Sequence, residues 1–143
     1  MLDPRVDAAV WPEHLRTADR AADLAGDFAR HWERWGFGPW TVRQDGAVIG
    51  YVGLRHGRVA GRPELELLWF LDASHWNQGL ATEMGAAAVR VAHEELELDD
   101  LVALAHVRNG ASRRVMEKLG MVAERELEHA GLPHVLYRLR TSA

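Results

Sequence analysis

The sequence contains no cysteine among its 143 residues. This absence excludes disulfides, thiolate metal ligands and a cysteine nucleophile, so any acyl transfer would be direct or would use an oxygen nucleophile. No apolar run approaches the roughly 18 to 20 residues that span a bilayer. The N-terminal stretch MLDPRVDAAV also lacks the charged and apolar regions of a signal peptide. We therefore expect a cytoplasmic protein with no membrane partner.

The chain also has no excess of basic over acidic residues. The chain has 17 basic and 21 acidic residues, and its net charge of −4 offers no positive field for nucleic acid or an anionic membrane. We therefore expect no nucleic-acid partner. The length and the hydrophobic fraction of 48% are typical of one soluble globular domain, which we expect to span residues 1–143.

The periodicity of the apolar residues predicts an α+β fold with one mixed sheet and helices packed on it. The predicted order is a helix over 17–35, a hairpin that turns at Asp45-Gly46, a loop over 56–63, a strand over 64–72, a helix over 79–96, a strand over 101–107, a helix over 111–120 and a terminal hairpin around 129–132. The unit over 64–107 has the length of a strand-helix-strand crossover. It therefore predicts one parallel pair within an otherwise antiparallel sheet, with the strand over 64–72 in the centre.

Residues 74–83, SHWNQGLATE, lead from that central strand into a helix through a single glycine, Gly79. The start of a helix gathers unpaired backbone N–H groups at the positive end of its dipole, which favours phosphate. Gly79 would let a ligand approach the amides of Asn77 to Thr82, and Ala81 leaves room one turn later. Many strand-to-helix turns contain one glycine and bind nothing, so the motif alone leaves both interpretations open.

Three segments together resemble the GNAT family of acyl-CoA-dependent N-acyltransferases, and within it the RimJ/RimL-like branch that acetylates ribosomal-protein N-termini. They are HWERWGFGPWTV, ELELLWFLDASHWNQGLATE and HVRNGASRRVMEKLGM, the last followed by the terminal hairpin. The resemblance extends from Gly36 to Arg140. It implies a mostly antiparallel sheet with one splayed parallel pair. It also implies acetyl transfer from acetyl-CoA to a primary amine, which is either a protein N-terminus or a small molecule.

The same resemblance implies that acetyl-CoA lies in the slot between the two parallel strands. The implied cofactor-binding residues are Trp69, Phe70 and Leu71 at the strand end, Trp76, Asn77, Gln78, Gly79, Leu80, Ala81 and Thr82 in the turn, and Asn109 and Arg114 after the second strand. The first position of the family's pyrophosphate loop is usually glutamine or arginine. Trp76 stands there and cannot offer a guanidinium, although this branch commonly has tryptophan at that position, so binding would rest on backbone amides.

Direct transfer from a thioester to an amine needs a neutral amine, a stabilised oxyanion and a proton for the leaving thiolate. A backbone N–H near Leu71 is the candidate for the oxyanion. Many GNAT enzymes supply the proton from a tyrosine, but this chain has Met116 at that position, and Ser112 one turn earlier matches the branch. A helix cap explains Ser112 as well. Glu66 matches a carboxylate of the branch and is the candidate base. The alternative is that Glu66 is an ordinary residue on the polar face of its strand.

The densest aromatic cluster contains Trp35, Phe37 and Trp40, in a region where the family builds its acceptor cleft. These three residues are candidates for acceptor binding, and core packing explains them as well. The histidines are scattered, without the spacing of ligand pairs, so we predict no metal site.

Family members usually place a further strand and helix before the first segment matched here, where this chain has residues 1–38. The stretch MLDPRVDAAVWPEHL does not have the pattern of a strand followed by a long helix. Either the family's first strand and helix are absent, or the true start lies upstream of this sequence; if they are absent, the strand over 39–44 is an open edge, which a homodimer could cover. The short N-terminus and the missing tyrosine leave a second function open, a non-catalytic acyl-CoA-binding module on the same fold.

Overall fold

The computed structural model describes residues 18–140, with side chains described from Gly26 onward. Its elements are helix α1 (Ala18–Trp35), strands β1 (Pro39–Gln44), β2 (Ala47–Val59) and β3 (Arg62–Leu71), helix α2 (Leu80–Arg90), strand β4 (Asp100–His106), helix α3 (Gly110–Lys118), and strands β5 (Val122–His129) and β6 (Leu132–Arg140). The predicted α+β class is confirmed. The expectation that the family's first strand and helix are absent depends on residues 1–17, which lie outside the described residues. Among the helices described, none is both long and apolar enough to cross a membrane.

The six strands form one sheet in the order β1-β2-β3-β4-β6-β5. Strands β3 and β4 are parallel and all other neighbours are antiparallel, which confirms the predicted crossover. Within the described residues, the parallel pair has one bridge, between Glu66 and Val102. Beyond it, residues 67–71 and 103–106 do not pair with each other. A slot therefore opens between β3 and β4 toward their carboxyl ends.

The predicted loop over residues 56–63 is wrong, because β2 and β3 form one long hairpin there. The ladder continues to the pair Val59 and Arg62, and the turn is made by Ala60 and Gly61, whose φ angles are +50° and +77°. Two consecutive left-handed residues match the twist of a tight hairpin. Val59 is 3% exposed and packs beside Val102, so its burial holds the strand in the sheet despite the glycines around it.

Helices α2 and α3 pack on one face of the sheet and meet each other there. Met84 of α2 and Met116 of α3 are buried in the main core. A Cβ on Gly85 would lie 2.7 Å from the Leu119 side chain, so the two helices approach closely because Gly85 has none. Each helix follows the carboxyl end of one of the two splayed strands. Their N-termini therefore lie at the same edge of the sheet, at the open end of the slot.

The ends of these helices differ slightly from the prediction. The helix predicted over residues 79–96 is α-helical only to Arg90 and continues as a wider π turn at Val91–Glu95. Gly120 has a φ of +88° just after α3, as expected of a glycine that ends a helix. On the other side of the molecule, α1 contacts β2 through Phe28, whose ring centre lies 5.0 Å from that of Tyr51.

Candidate active site

The turn that follows β3 is tied to the end of that strand by Trp76. Its indole N–H donates to the carbonyl oxygen of Leu71 over 2.8 Å, and its ring packs against Phe70 and Ala73. The backbone N–H of Asp72 donates to Ile49 of β2 over 2.8 Å. The indole nitrogen of Trp76 is thus already used, and its observed contribution is to fix the start of the turn.

The next residues present backbone N–H groups that the protein does not use. Asn77 and Gly79 have left-handed φ angles of +62° and +76°, and Gly79 is the N-cap of α2 without a side-chain cap. The amides of residues 77–82 donate no hydrogen bond to any group in the described part of the chain. A Cβ on Gly79 would meet no atom within 4 Å. The turn therefore opens to solvent and forms a cradle suited to a phosphate group.

The start of α3 lies across the open end of the slot. Asn109 is its N-cap, and the Oδ1 of Asn109 accepts from the backbone N–H of Ser112 over 3.1 Å. Because Asn109 is the N-cap of α3, the alternative interpretation of Ser112 as the capping residue of this helix does not hold. The hydroxyl of Ser112 is half-buried and makes no hydrogen bond within residues 26–140. It is therefore available to a reacting group.

The two arginines of α3 have different surroundings. Arg113 donates to the Tyr137 hydroxyl over 3.1 Å and to the Val107 carbonyl over 3.0 Å, so it holds α3 against the sheet. Arg114 is exposed, and its guanidinium lies beside Gly110 in the first turn of the helix. Of the two, only Arg114 is placed to meet a ligand from solvent.

Glu66 lies at the closed end of the slot, in the one bridge of the parallel pair. Strand alternation directs its side chain to the face opposite that of Leu65 and Leu67. Its Oε1 accepts from Nη2 of Arg55 over 2.6 Å, and the two side chains are 13% and 31% exposed. The ion pair holds Glu66 as an oriented carboxylate.

The same carboxylate lines a cavity of about 400 Å³, which we call the arginine cavity. Its lining residues are Asp27, Arg30, His31, Arg34, Trp35, Arg55, His56, Gly57, Arg58, Glu66 and His129. Helix α1, the β2–β3 hairpin and the end of β5 therefore all contribute to one space beside the slot.

Three histidines of this cavity have different roles. His31 is buried, and its Nδ1 lies 2.7 Å from the Phe37 carbonyl while its Nε2 accepts from the His56 N–H over 2.9 Å. This arrangement assigns the neutral tautomer with the proton on Nδ1, and both nitrogens are used. Burial lowers the pKa of His56. Burial also lowers the pKa of His129, against an opposing effect of Glu66. At neutral pH both rings are therefore neutral.

The profile of the acetyltransferase (GNAT) domain family matches residues 1–122. The chain belongs to the GNAT acetyltransferase family. It is therefore an acetyltransferase, and the predicted family is confirmed. The RimJ/RimL-like branch and the shortened N-terminus remain predictions.

Individual proteins are similar to this chain in sequence or in fold. YkkB of Bacillus subtilis strain 168, an uncharacterized protein, is 25% identical over 122 residues, which are 78% of this chain and 71% of YkkB. An acetyltransferase from Agrobacterium tumefaciens strain C58 has the same fold, with 24% identity and a TM-score of 0.82 over 97% of this chain and 80% of that chain. YncA of Salmonella typhimurium, solved with its cofactor acetyl-CoA, is 23% identical, with a TM-score of 0.74 over 94% of this chain and 80% of that chain.

The GNAT fold does not bring together the three aromatic residues predicted to bind the acceptor. Trp35 is 44% exposed and lines the arginine cavity, whereas Phe37 is 7% exposed and belongs to the core. Trp40 lines a separate groove of about 570 Å³ between β1, β2 and α2. Of these three residues, only Trp35 shares a cavity with Glu66.

Sequence reasoning missed Arg55, His56 and His129 of this GNAT protein. They come from β2 and from the last residue of β5, so no spacing along the chain connects them with Glu66. The cross-strand pair of Arg55 with Glu66 was the one detectable signal, since the two residues sit opposite each other in the β2–β3 ladder. Both residues lay in predicted strands, but the predicted loop over 56–63 left the pairing of those two strands, and with it this pair, unpredicted. No group of three or more histidine or acidic side chains that could hold a metal ion occurs in the portion described here.

Proposed function

We propose that this GNAT protein is an acetyl-CoA-dependent N-acetyltransferase that transfers the acetyl group directly to a primary amine. The observation that carries the proposal is the turn over residues 77–82. There, six amides without a hydrogen-bond partner in the described chain lie at the open end of the splayed parallel pair, and residues 77–79 are exposed. The acceptor is a protein N-terminus, as in the RimJ/RimL-like branch, or a small-molecule amine.

The donor residues follow from this placement. The amides of residues 77–82 would hold the pyrophosphate, and the exposed Arg114 would meet the phosphates at the nucleotide end. The end of β3 would offer backbone groups from Trp69 to Leu71 to the pantetheine arm. Because the Leu71 carbonyl already accepts from Trp76, the Leu71 backbone would act through its N–H, as a donor to the pantetheine arm. Acetyl-CoA, when bound, supplies an activated acetyl thioester.

Two proton transfers accompany the reaction, in which a carbon–nitrogen bond forms and the carbon–sulfur bond breaks. Glu66 takes the amine proton, directly or through a water molecule. His129 is neutral at neutral pH and lines the same cavity, so it is the alternative acceptor of that proton. The hydroxyl of Ser112 would give a proton to the leaving thiolate.

The acceptor is better suited to be an α-amine than a lysine side chain. The reference pKa is about 7.7 to 8.0 for an N-terminal amine and about 10.4 for lysine. The difference of roughly 2.5 units spares about 3.4 kcal/mol of deprotonation at neutral pH. A carboxylate held by an arginine is a weak base, so this saving favours the N-terminal amine.

A thiol-release assay tests the proposal. Acetyl-CoA is incubated with the protein and with peptides that have free N-termini, peptides with blocked N-termini and one lysine, and small amines. We expect thiol release with the free N-termini, matched by a mass gain of one acetyl group. Binding of acetyl-CoA without release on any amine would contradict catalysis and favour a binding module.

A further inference from the structure

The arginine cavity carries an excess of positive charge in an otherwise acidic chain. The charged lining residues are Arg30, Arg34, Arg55, Arg58, Asp27 and Glu66. Four cations against two anions leave a local charge of plus two, whereas the whole chain has a net charge of −4. The three lining histidines add no charge at neutral pH, since His31 is held as a neutral tautomer and the pKa values of the other two are lowered.

Two of the four arginines have no acidic partner among residues 26–140. Arg30 pairs with Asp27, and Arg55 pairs with Glu66. Arg34 and Arg58 make no ion pair with a carboxylate among residues 26–140. Arg58 donates one N–H to the Gly61 carbonyl over 2.9 Å, which leaves its other N–H groups available. Two guanidinium groups therefore line the cavity with hydrogen-bonding capacity to spare.

The guanidinium of Arg34 is supported by a stack of aromatic rings. It lies 5.1 Å from the ring centre of Trp35, and that ring centre lies 4.2 Å from the His56 ring. The His56 ring in turn stacks on His31 with 6.0 Å between ring centres, and His31 is fixed by its two hydrogen bonds. A cation held on a fixed ring loses less entropy when it binds a ligand.

We propose that the arginine cavity is the acceptor site and takes a primary amine that also carries a carboxylate, which Arg34 and Arg58 bind. This inference rests on the proposed transferase function. Guanidinium groups match carboxylates in shape and charge. The positive surroundings would also disfavour the protonated amine and so increase the fraction of the neutral nucleophile. A polycationic acceptor would be repelled from the same cavity.

Matched acceptors test this proposal in the thiol-release assay. The first pair consists of the amidated peptides Ser-Glu-Ala-Ala and Ser-Gln-Ala-Ala, which share one N-terminal amine and differ in one negative charge. The second pair is glycine and glycinamide, which tests a free amino acid as the source of the carboxylate; kcat/KM is expressed per unprotonated amine for this pair, because the amide lowers the pKa of the amine. We expect the carboxylate member of at least one pair to have about tenfold higher kcat/KM, as two exposed ion pairs would supply. A ratio within about twofold of one in both pairs would overturn the proposal.

Substitutions assign the preference to the two arginines. The double variant Arg34→Gln/Arg58→Gln should bring the ratio close to one. The control variant Arg43→Gln/Arg125→Gln should keep the wild-type ratio, because it changes two exposed arginines outside the cavity. A ratio that survives in the first variant would also overturn the proposal.

A binding measurement separates this proposal from the transferase function. If no acceptor causes thiol release from acetyl-CoA, the proposed activity is refuted. A titration with succinate, followed by NMR, then tests whether the arginine cavity binds a carboxylate. We expect the Trp35 indole N–H signal to shift in the wild-type protein and to stay in place in the Arg34→Gln/Arg58→Gln variant. An unshifted wild-type signal would refute the site.

Discussion

Arg138 of β6 lies at the closed end of the slot, and its loss should weaken both the stability of the fold and the binding of acetyl-CoA. Its Nη1 and Nη2 each lie 3.1 Å from a Glu64 carboxylate oxygen, which forms a two-pronged pair across β4 to β3. It also donates to Asp100 over 2.7 Å and to Glu124 over 2.9 Å. Because β3 and β4 share only the bridge at Glu66 in the described sheet, this clamp adds to what joins the two strands.

The expected magnitude follows from how deeply each partner is buried. The side chains of Arg138 and Glu64 are each 10% exposed, while those of Asp100 and Glu124 are 47% and 35% exposed. Removing one partner of a buried ion pair costs about 3 to 5 kcal/mol, and an exposed pair contributes about 0 to 1 kcal/mol. Arg138→Met should therefore lower the free energy of unfolding by about 3 kcal/mol and the Tm by about 10 °C.

Urea unfolding followed by circular dichroism measures this loss. The double variant Arg138→Met/Glu64→Leu should recover most of the stability, because it removes the unpaired buried charge. Arg125→Met, at an exposed site of the same hairpin, serves as the control. In the single variant, a slot that is less firmly closed should also bind acetyl-CoA more weakly. A change below about 1 kcal/mol for Arg138→Met would refute the reasoning from burial.

Three further predictions concern single side chains of the site. Ser112→Ala should keep the affinity for acetyl-CoA and lower kcat about 100-fold, and an unchanged kcat would remove Ser112 from the mechanism. Glu66→Gln should lower kcat/KM by a similar factor while keeping the hydrogen bond from Arg55, and full activity would leave Glu66 a structural role only. Burial lowers the pKa of His56 in the folded protein, so the unfolded chain takes up the proton first as the pH falls below about 6.5. Urea unfolding should therefore show stability falling from pH 7 to pH 5, and less steeply in His56→Gln; an equal slope would contradict this.

Elements with strong local patterns could be predicted from the sequence. The central strand, the crossover helix and the two flanking hairpins all followed from periodicity and turn residues. The β2–β3 hairpin could not, because Gly57, Gly61 and Pro63 are typical of loops. In the structure, Gly61 makes the turn and Pro63 lies next to the start of β3, where a proline is tolerated. The pairing of two long strands outweighed the local preference of these residues.

The two parts of the candidate site also differ in how far they could be predicted from the sequence. The phosphate turn is one continuous segment, so its glycine and the helix that follows were visible in the sequence. The arginine cavity is assembled from α1, β2, β3 and the end of β5, and Glu66 and His129 are far apart along the chain. Only the tertiary fold places them in one space. Charge that is spread over four elements leaves no motif to detect.

The most direct test of the account is a calorimetric titration of acetyl-CoA into the wild-type protein and into Gly79→Asp. Gly46→Asp is the matched control, because both glycines have a positive φ, +76° and +83°, and both have open space where a Cβ would lie. The backbone strain is therefore similar in the two variants, and only Gly79→Asp places a carboxylate among the unused amides. We predict that the wild-type protein and Gly46→Asp bind acetyl-CoA alike and that Gly79→Asp does not bind it. Equal binding by Gly79→Asp, or no binding by the wild-type protein, would contradict the assignment of this turn to the acetyl donor.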